Sequence, residues 1–142
     1  MSDLEANKQL ARDFFTALGN LDVDGLMKLI DPAIRLNVQN TGCMGGQLGL
    51  QDLSMVGAVL GAACPNGIHF EIRDLTAEDD RVSVRVDGFA KLDDGGDYNN
   101  RYHFLLKIRD GKICETFEYL DSLLVEKVFA ERYQKYLNSQ AG

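Results

Sequence analysis

The stretch Tyr98-Asn99-Asn100-Arg101-Tyr102-His103-Phe104-Leu105-Leu106-Lys107-Ile108-Arg109-Asp110-Gly111-Lys112-Ile113-Cys114-Glu115-Thr116-Phe117-Glu118-Tyr119-Leu120 decides the fold. Tyr98, Asn100, Tyr102, Phe104, Leu106 and Ile108 recur at period two, which predicts a long strand with one inward face, and Ile113 to Leu120 read as a second strand. Arg109-Asp110-Gly111 joins them. A three-residue connection with glycine in the left-handed position brings the even residues of both strands to one face. A two-residue connection would set even against odd. The three-residue loop is the preferred reading. It puts Glu118, with Thr116 and Leu120, on the face that carries Asn100, Tyr102 and Phe104. A carboxylate among such neighbours is expensive unless it is paired or at work.

Upstream, Ile68, Phe70 and Ile72 alternate with polar residues, and so do Val82, Val84 and Val86 after the turn Glu78-Asp79-Asp80. The valine strand has one apolar face and one carrying Ser83, Arg85, Asp87 and Phe89; alternation alone does not say which looks inward. Further upstream the period changes. Leu4, Leu10, Ala11, Phe14, Phe15 and Leu18 return at helical spacing, predicting a helix from Asp3 to about Leu18 that stops at Gly19-Asn20. Asp22 caps a second helix, Val23 to Ile30, which closes before Pro32. A strand over Ile34 to Asn40, a Gly-rich loop over Thr41 to Gly49 and a third helix over Leu50 to Ala63 follow, and Ser122 to Leu137 form the last helix. Helices first and then a run of antiparallel strands is the α+β pattern, with helices on one face of a curved sheet. Such a cup can hold a ligand.

The 142 residues, 45% hydrophobic, suit one domain over positions 1–142. Fifteen Lys and Arg against 22 Asp and Glu give a net charge of −7, which argues against nucleic acid or an anionic membrane as partner. No apolar stretch nears the roughly 20 residues of a membrane span. The N-terminus lacks the basic start and apolar centre of a signal peptide, so the cytoplasm is the expected compartment. Cys43, Cys64 and Cys114 are odd in number without a C-x-x-C spacing, and His69 and His103 lie far apart, so no metal site or disulfide framework is expected. By parity Cys114 shares the face of Glu118, where it reads as a small buried thiol. His103 falls on the outward face. Phe117 and Tyr119 lie opposite Glu118, and exposed aromatics on the back of a sheet mark a dimer interface.

Helix one, the turn Leu18-Gly19-Asn20-Leu21-Asp22 and the tail through Arg109-Asp110-Gly111-Lys112-Ile113 to Glu118-Tyr119-Leu120-Asp121 resemble the nuclear transport factor 2-like superfamily. That superfamily includes ketosteroid isomerases, SnoaL-like polyketide cyclases and limonene-1,2-epoxide hydrolase. The resemblance is greatest to the last: Arg85 to Asp121 aligns without a gap, covering Arg-x-Asp at 85–87, Tyr98-Asn99, Gly111-Lys112-Ile113 and the ending Glu118-Tyr119-Leu120-Asp121. It implies a cone-shaped, curved antiparallel sheet wrapped around N-terminal helices, a homodimer through the outer sheet face and no cofactor. It further implies that Glu118 activates water, Asp87 protonates the epoxide oxygen, Arg85 bridges the two and Asn37 helps to place the water. One base and one acid sharing a cation is a sound arrangement for opening an epoxide in one step. Arg35, Phe89, Asn100, Tyr102, Leu120 and Phe14 would then line the site of a small, largely apolar ligand. Three positions depart from the hydrolase: Arg35 replaces a Tyr, Glu118 replaces an Asp, and Asn100 with Tyr102 replace aliphatic residues, which points to a more polar substrate.

The isomerase pattern is not kept, since its oxyanion Tyr aligns with Phe14 and its general-base Asp with Asn37. A SnoaL-like cyclase needs only an acid/base carboxylate in an aromatic-lined pocket, and Asp87 or Glu118 with Tyr102 would serve. A third reading is a non-enzymatic ligand-binding member in which the Arg-carboxylate cluster is structural.

Overall fold

In chain order the computed structural model, which describes residues 3–141, runs α1 (Asp3–Gly19), α2 (Val23–Met27), β1 (Ile30–Val38), β2 (Gly46–Leu48), a 3-10 turn (Leu50–Asp52), α3 (Leu53–Ala63), β3 (His69–Glu78), β4 (Arg81–Lys91), β5 (Asp97–Arg109), β6 (Lys112–Leu120) and α4 (Ser122–Ala141). The six strands form one sheet in the order β2-β1-β6-β5-β4-β3. Four of the five pairings are antiparallel, but β1 runs parallel to β6. The expected all-antiparallel sheet is therefore mixed. Parallel neighbours need a long crossover connection, and the chain between β1 and β6, which includes α3, supplies it.

The β5–β6 hairpin has the expected parity for a different reason. Arg109 pairs with Lys112, so the loop is the two residues Asp110 and Gly111, both at positive φ (54° and 74°) as a type I′ turn requires. Ile108 then faces Ile113, after which the register shifts and Lys107 faces Glu115, leaving Cys114 as a bulge. Beyond the bulge even meets even: Leu106 with Thr116, Phe104 with Glu118, Tyr102 with Leu120. Cys114 does not share the face of Glu118 as expected. Fully buried Ile113 takes the inward position, and the Cys114 thiol donates to the Lys107 carbonyl at 3.5 Å.

The second helix is shorter than its apolar stripe suggests, ending at Met27, and Ile30 opens β1 instead. Pro32 is tolerated inside that strand because it sits between the pairs Ile30–Ile113 and Arg35–Glu115, where no ladder bond is made. The Gly-rich loop contains the short strand β2, and the third helix begins with a 3-10 turn.

All four helices cover one face of the sheet. Phe14 and Phe15 of α1 pack on Val82, Val84, Val86 and Phe104, while Val59 of α3 and Phe129 of α4 pack with Ala90 and Tyr98. This fixes the face of β4. Burying a valine is worth about 1.5–3 kcal/mol, whereas turning the strand over would drive Arg85 and Asp87 into the core at several kcal/mol per ion. The valines go in, and Ser83, Arg85, Asp87 and Phe89 go out.

Candidate active site

Between helices and sheet lies a cavity of about 150 Å³. Its walls are apolar: Phe14 and Leu18 from α1, Ile34, Leu36 and Val38 from β1, Phe104 and Leu120 from the hairpin, Val125 and Phe129 from α4. Its polar groups are few. Asn40 is among them, but its amide is held by loop backbone, accepting from Gly42 N and donating to Cys43 O. The others are Glu118 and Thr116 on β6 and Tyr98 and Tyr102 on β5.

Glu118 stands between Phe104 on one neighbouring strand and Val38 on the other. Its carboxyl has no side-chain or backbone hydrogen-bond donor among the described residues, and no cation faces it. Burial alone pushes its pKa up from 4.5 to about 7. It is half-buried rather than sealed, because it opens on the cavity. A carboxyl with no partner inside an apolar chamber can take a proton from a bound molecule or give one back near neutral pH.

The two phenols form a connected pair. Tyr98 Oη lies 2.9 Å from Tyr102 Oη, and Asn100 Nδ2 donates to Tyr98 Oη at 3.0 Å. Burial keeps both phenols protonated, pushing Tyr98 up to about 12 and Tyr102 well above its ordinary value. The Tyr102 ring is placed by Gly88: a Cβ there would lie 3.0 Å from Tyr102 Cε2 and 3.1 Å from both Ile68 and Phe70. Glycine is what lets the ring lie against the β4 backbone.

Of the residues singled out in the sequence, Glu118, Tyr102, Leu120 and Phe14 line the cavity. Asn100 is buried beside it and touches Tyr98. The other five lie on the outer sheet face and do not meet Glu118. Arg85 is exposed and bound to Asp74, with Nε donating at 2.8 Å. Asp87 accepts from Arg73 Nε at 2.8 Å, and Phe89 is exposed. Arg35 and Asn37 do meet a carboxylate, but it is Glu115: Arg35 Nη2 reaches its Oε1 at 3.2 Å and Asn37 Nδ2 donates to its Oε2 at 3.1 Å. The expected cluster of Arg85, Asp87, Asn37 and Glu118 is thus not assembled. Its members are divided by the sheet, because inward valines on β4 and inward Leu36 and Val38 on β1 force their odd-numbered neighbours outward.

Tyr98 and Thr116 are site residues that the sequence reading named on the right face without giving them a role. The signal was the even parity they share with Tyr102 and Glu118. His103 is exposed as expected, 2.7 Å from Ser83 Oγ. Among the described residues no three His, Cys, Asp or Glu gather as metal ligands, and no helix is long and apolar enough to cross a membrane.

Residues 11–116 match the profile of the SnoaL-like domain. No curated protein matches the sequence. Among solved structures, Bal32a from a soil-derived mobile gene cassette is similar with a TM-score of 0.78 at 15% identity, over 90% of this chain and 99% of that one. AclR from Streptomyces galilaeus gives 0.75 at 18% identity, over 90% and 87%. IdmH from Streptomyces antibioticus, a candidate polyketide cyclase, gives 0.71 at 16%, over 89% and 96%. At such identities the structural likeness is one of fold.

Proposed function

Because this chain belongs to the SnoaL-like domain family, we propose that it is a small-molecule enzyme that moves a proton on a neutral carbonyl compound held in the cavity, as a cyclase or isomerase of that family would. The observation that carries the reading is Glu118, the one carboxyl of the cavity lining, unpartnered and facing two phenols across apolar walls. In the reaction the Glu118 carboxylate takes a proton from the carbon next to the carbonyl. The oxygen that becomes negative accepts a hydrogen bond from Tyr102, in surroundings dry enough to make that bond count. Glu118 then returns the proton to another carbon, which is isomerisation. Alternatively the enolate carbon attacks a second carbonyl of the same molecule and Glu118 protonates the new alkoxide, which is cyclisation. A cavity of about 150 Å³ matches one that accepts a benzene-sized guest, so the substrate presents about one ring to it.

Epoxide hydrolysis of the limonene-1,2-epoxide hydrolase type is the second reading. It keeps Glu118 as the base for water, but Tyr102 would have to replace Asp87 as the proton donor and nothing replaces Arg85. A pocket with one carboxylate and no cation favours carbon-acid chemistry over the bridged pair. Within the same proposal the partner is a second copy of the chain, joined through the outer sheet face on which Phe89 and Tyr119 are exposed.

The deciding experiment places the protein in deuterated water with a panel of β-keto esters and cyclic enones, and in oxygen-18 water with cyclic and aryl epoxides. Deuterium incorporation by the wild type, reduced about 10²–10⁴-fold in Glu118→Gln, is the expected result. Labelled diol without deuterium exchange would hand the site to the hydrolase reading. Binding with neither reaction would make it a carrier.

A further inference from the structure

The amide of Asn100 can point only one way. Its Oδ1 accepts from two backbone groups, Arg101 N at 2.7 Å and Asp121 N at 3.2 Å. Its Nδ2 donates to Asp121 O at 3.3 Å and to Tyr98 Oη at 3.0 Å. Turning the amide over would set the NH₂ against two N–H donors and a carbonyl against a carbonyl. Both hydrogens of the amide are therefore committed, one of them to the Tyr98 oxygen.

The two phenols inherit a direction from that commitment. The pair Tyr98–Tyr102 owns two hydroxyl hydrogens and makes one mutual bond, 2.9 Å long. With a lone pair of Tyr98 already taken by Asn100, the cooperative arrangement is for Tyr98 to pass its own hydrogen to Tyr102. The Tyr102 hydrogen is then unused within the protein, on a ring that lines the cavity. We propose that Asn100 is a positioning residue that sets the direction of the Tyr98–Tyr102 hydrogen bond and so makes the polar end of the cavity a donor, selecting ligands that present an uncharged acceptor oxygen such as a ketone or ester carbonyl. This rests on taking the cavity as the active site, and it adds a residue that touches neither substrate nor reacting atoms. Asn100→Asp keeps the Oδ1 contacts but puts an acceptor where the Nδ2 donor stood. Tyr98 then donates to the introduced carboxylate, Tyr102 donates to Tyr98, and only lone pairs face the ligand.

The test uses acetophenone as the probe and the infrared stretch of its carbonyl as the readout, at pH 9, where Glu118 is ionised and can only accept. In the wild type the bound carbonyl absorbs at lower frequency than in hydrocarbon solvent. In Asn100→Asp the shift is lost and binding weakens about tenfold, the equivalent of one hydrogen bond; Asn100→Ala falls between. An unchanged carbonyl frequency in Asn100→Asp overturns the proposal. The wild type alone gives a ligand-free check, by proton NMR of the phenol hydrogens in tyrosine-labelled protein. A protected Tyr98 hydrogen lying toward Tyr102, with an exchanging Tyr102 hydrogen, is the expected result; the reverse assignment overturns it even if the variants do not fold or the probe does not bind. Failure of the functional reading looks different: a polarised, Asn100-dependent carbonyl with no deuterium exchange would remove proton transfer and leave Asn100's role in place.

Discussion

A carboxylic acid on the wall of an apolar chamber makes the folded protein resist ionisation, and Glu118 carries that cost. Its pKa is raised in the folded state, so between 4.5 and about 7 the folded chain holds a proton that the unfolded chain has lost. Stability is full below the lower value and declines as pH rises through the upper one, by about 3 kcal/mol in all. Urea denaturation at pH 5 and pH 8 should show that decline in the wild type and its absence in Glu118→Gln. The rate of exchange on a carbon acid should run the other way, rising with pH to a plateau above about 7 as the base becomes ionised. Glu118 was legible in the sequence because a charge at an apolar position of an alternating strand stands out. Arg85, Asp87 and Asn37 were not, because alternation sorts residues into two sets without saying which set faces the core. That choice is made by side chains elsewhere in the chain, here Phe14 and Phe15 against the valines. Glu115, which receives both Arg35 and Asn37, shows how closely the outer face imitates the pattern expected of the inner one.

At the level of elements, the position of Glu118 depends on Cys114 being left out of the ladder. If Cys114 took the place opposite Lys107 instead of bulging out, the two-residue turn would set even against odd along the rest of the hairpin, sending Thr116, Glu118 and Leu120 outward and Phe117 and Tyr119 in. Deletion of Cys114 removes the bulge yet leaves Lys107 opposite Glu115 and Phe104 opposite Glu118, so it should keep a cooperatively folded protein by circular dichroism, and Cys114→Ala should change stability by no more than about 1 kcal/mol. The hairpin's parity was readable from its apolar pattern. Its cause was not, since a three-residue loop and a two-residue turn with a bulge produce the same alternation. The strand order near β1 escaped for a related reason: nothing local in Ile30–Val38 records that its neighbour is β6 or that the pair is parallel. The ion pairs on the opposite face of β4 are surface features, and Arg85→Ala should cost at most about 1 kcal/mol and leave deuterium exchange unchanged. A loss of exchange in that variant would restore Arg85 to the chemistry.

For the whole molecule, the helices close one face of the sheet and leave the other bare. Tyr119 is 51% exposed and Phe89 37% exposed there, the positions at which a second copy is expected to dock. Sedimentation equilibrium should find a dimer for the wild type and a monomer for Tyr119→Arg, with the fold of each chain intact by circular dichroism. The parallel pairing of β1 with β6 also bears on how the protein is made. Arg35 meets Glu115 across 80 positions of sequence, so a chain emerging from the ribosome holds β1 ready long before its neighbour exists. Until β6 is synthesised, the inner wall that carries Thr116 and Glu118 is missing and the apolar residues of α1 and β1 have half a core to close on. Folding is therefore deferred until β6 has been synthesised and proceeds at the slow pace of non-local strand pairing. The nascent chain passes through its most aggregation-prone stage just before it acquires Glu118, to which the proposed function assigns the proton transfer.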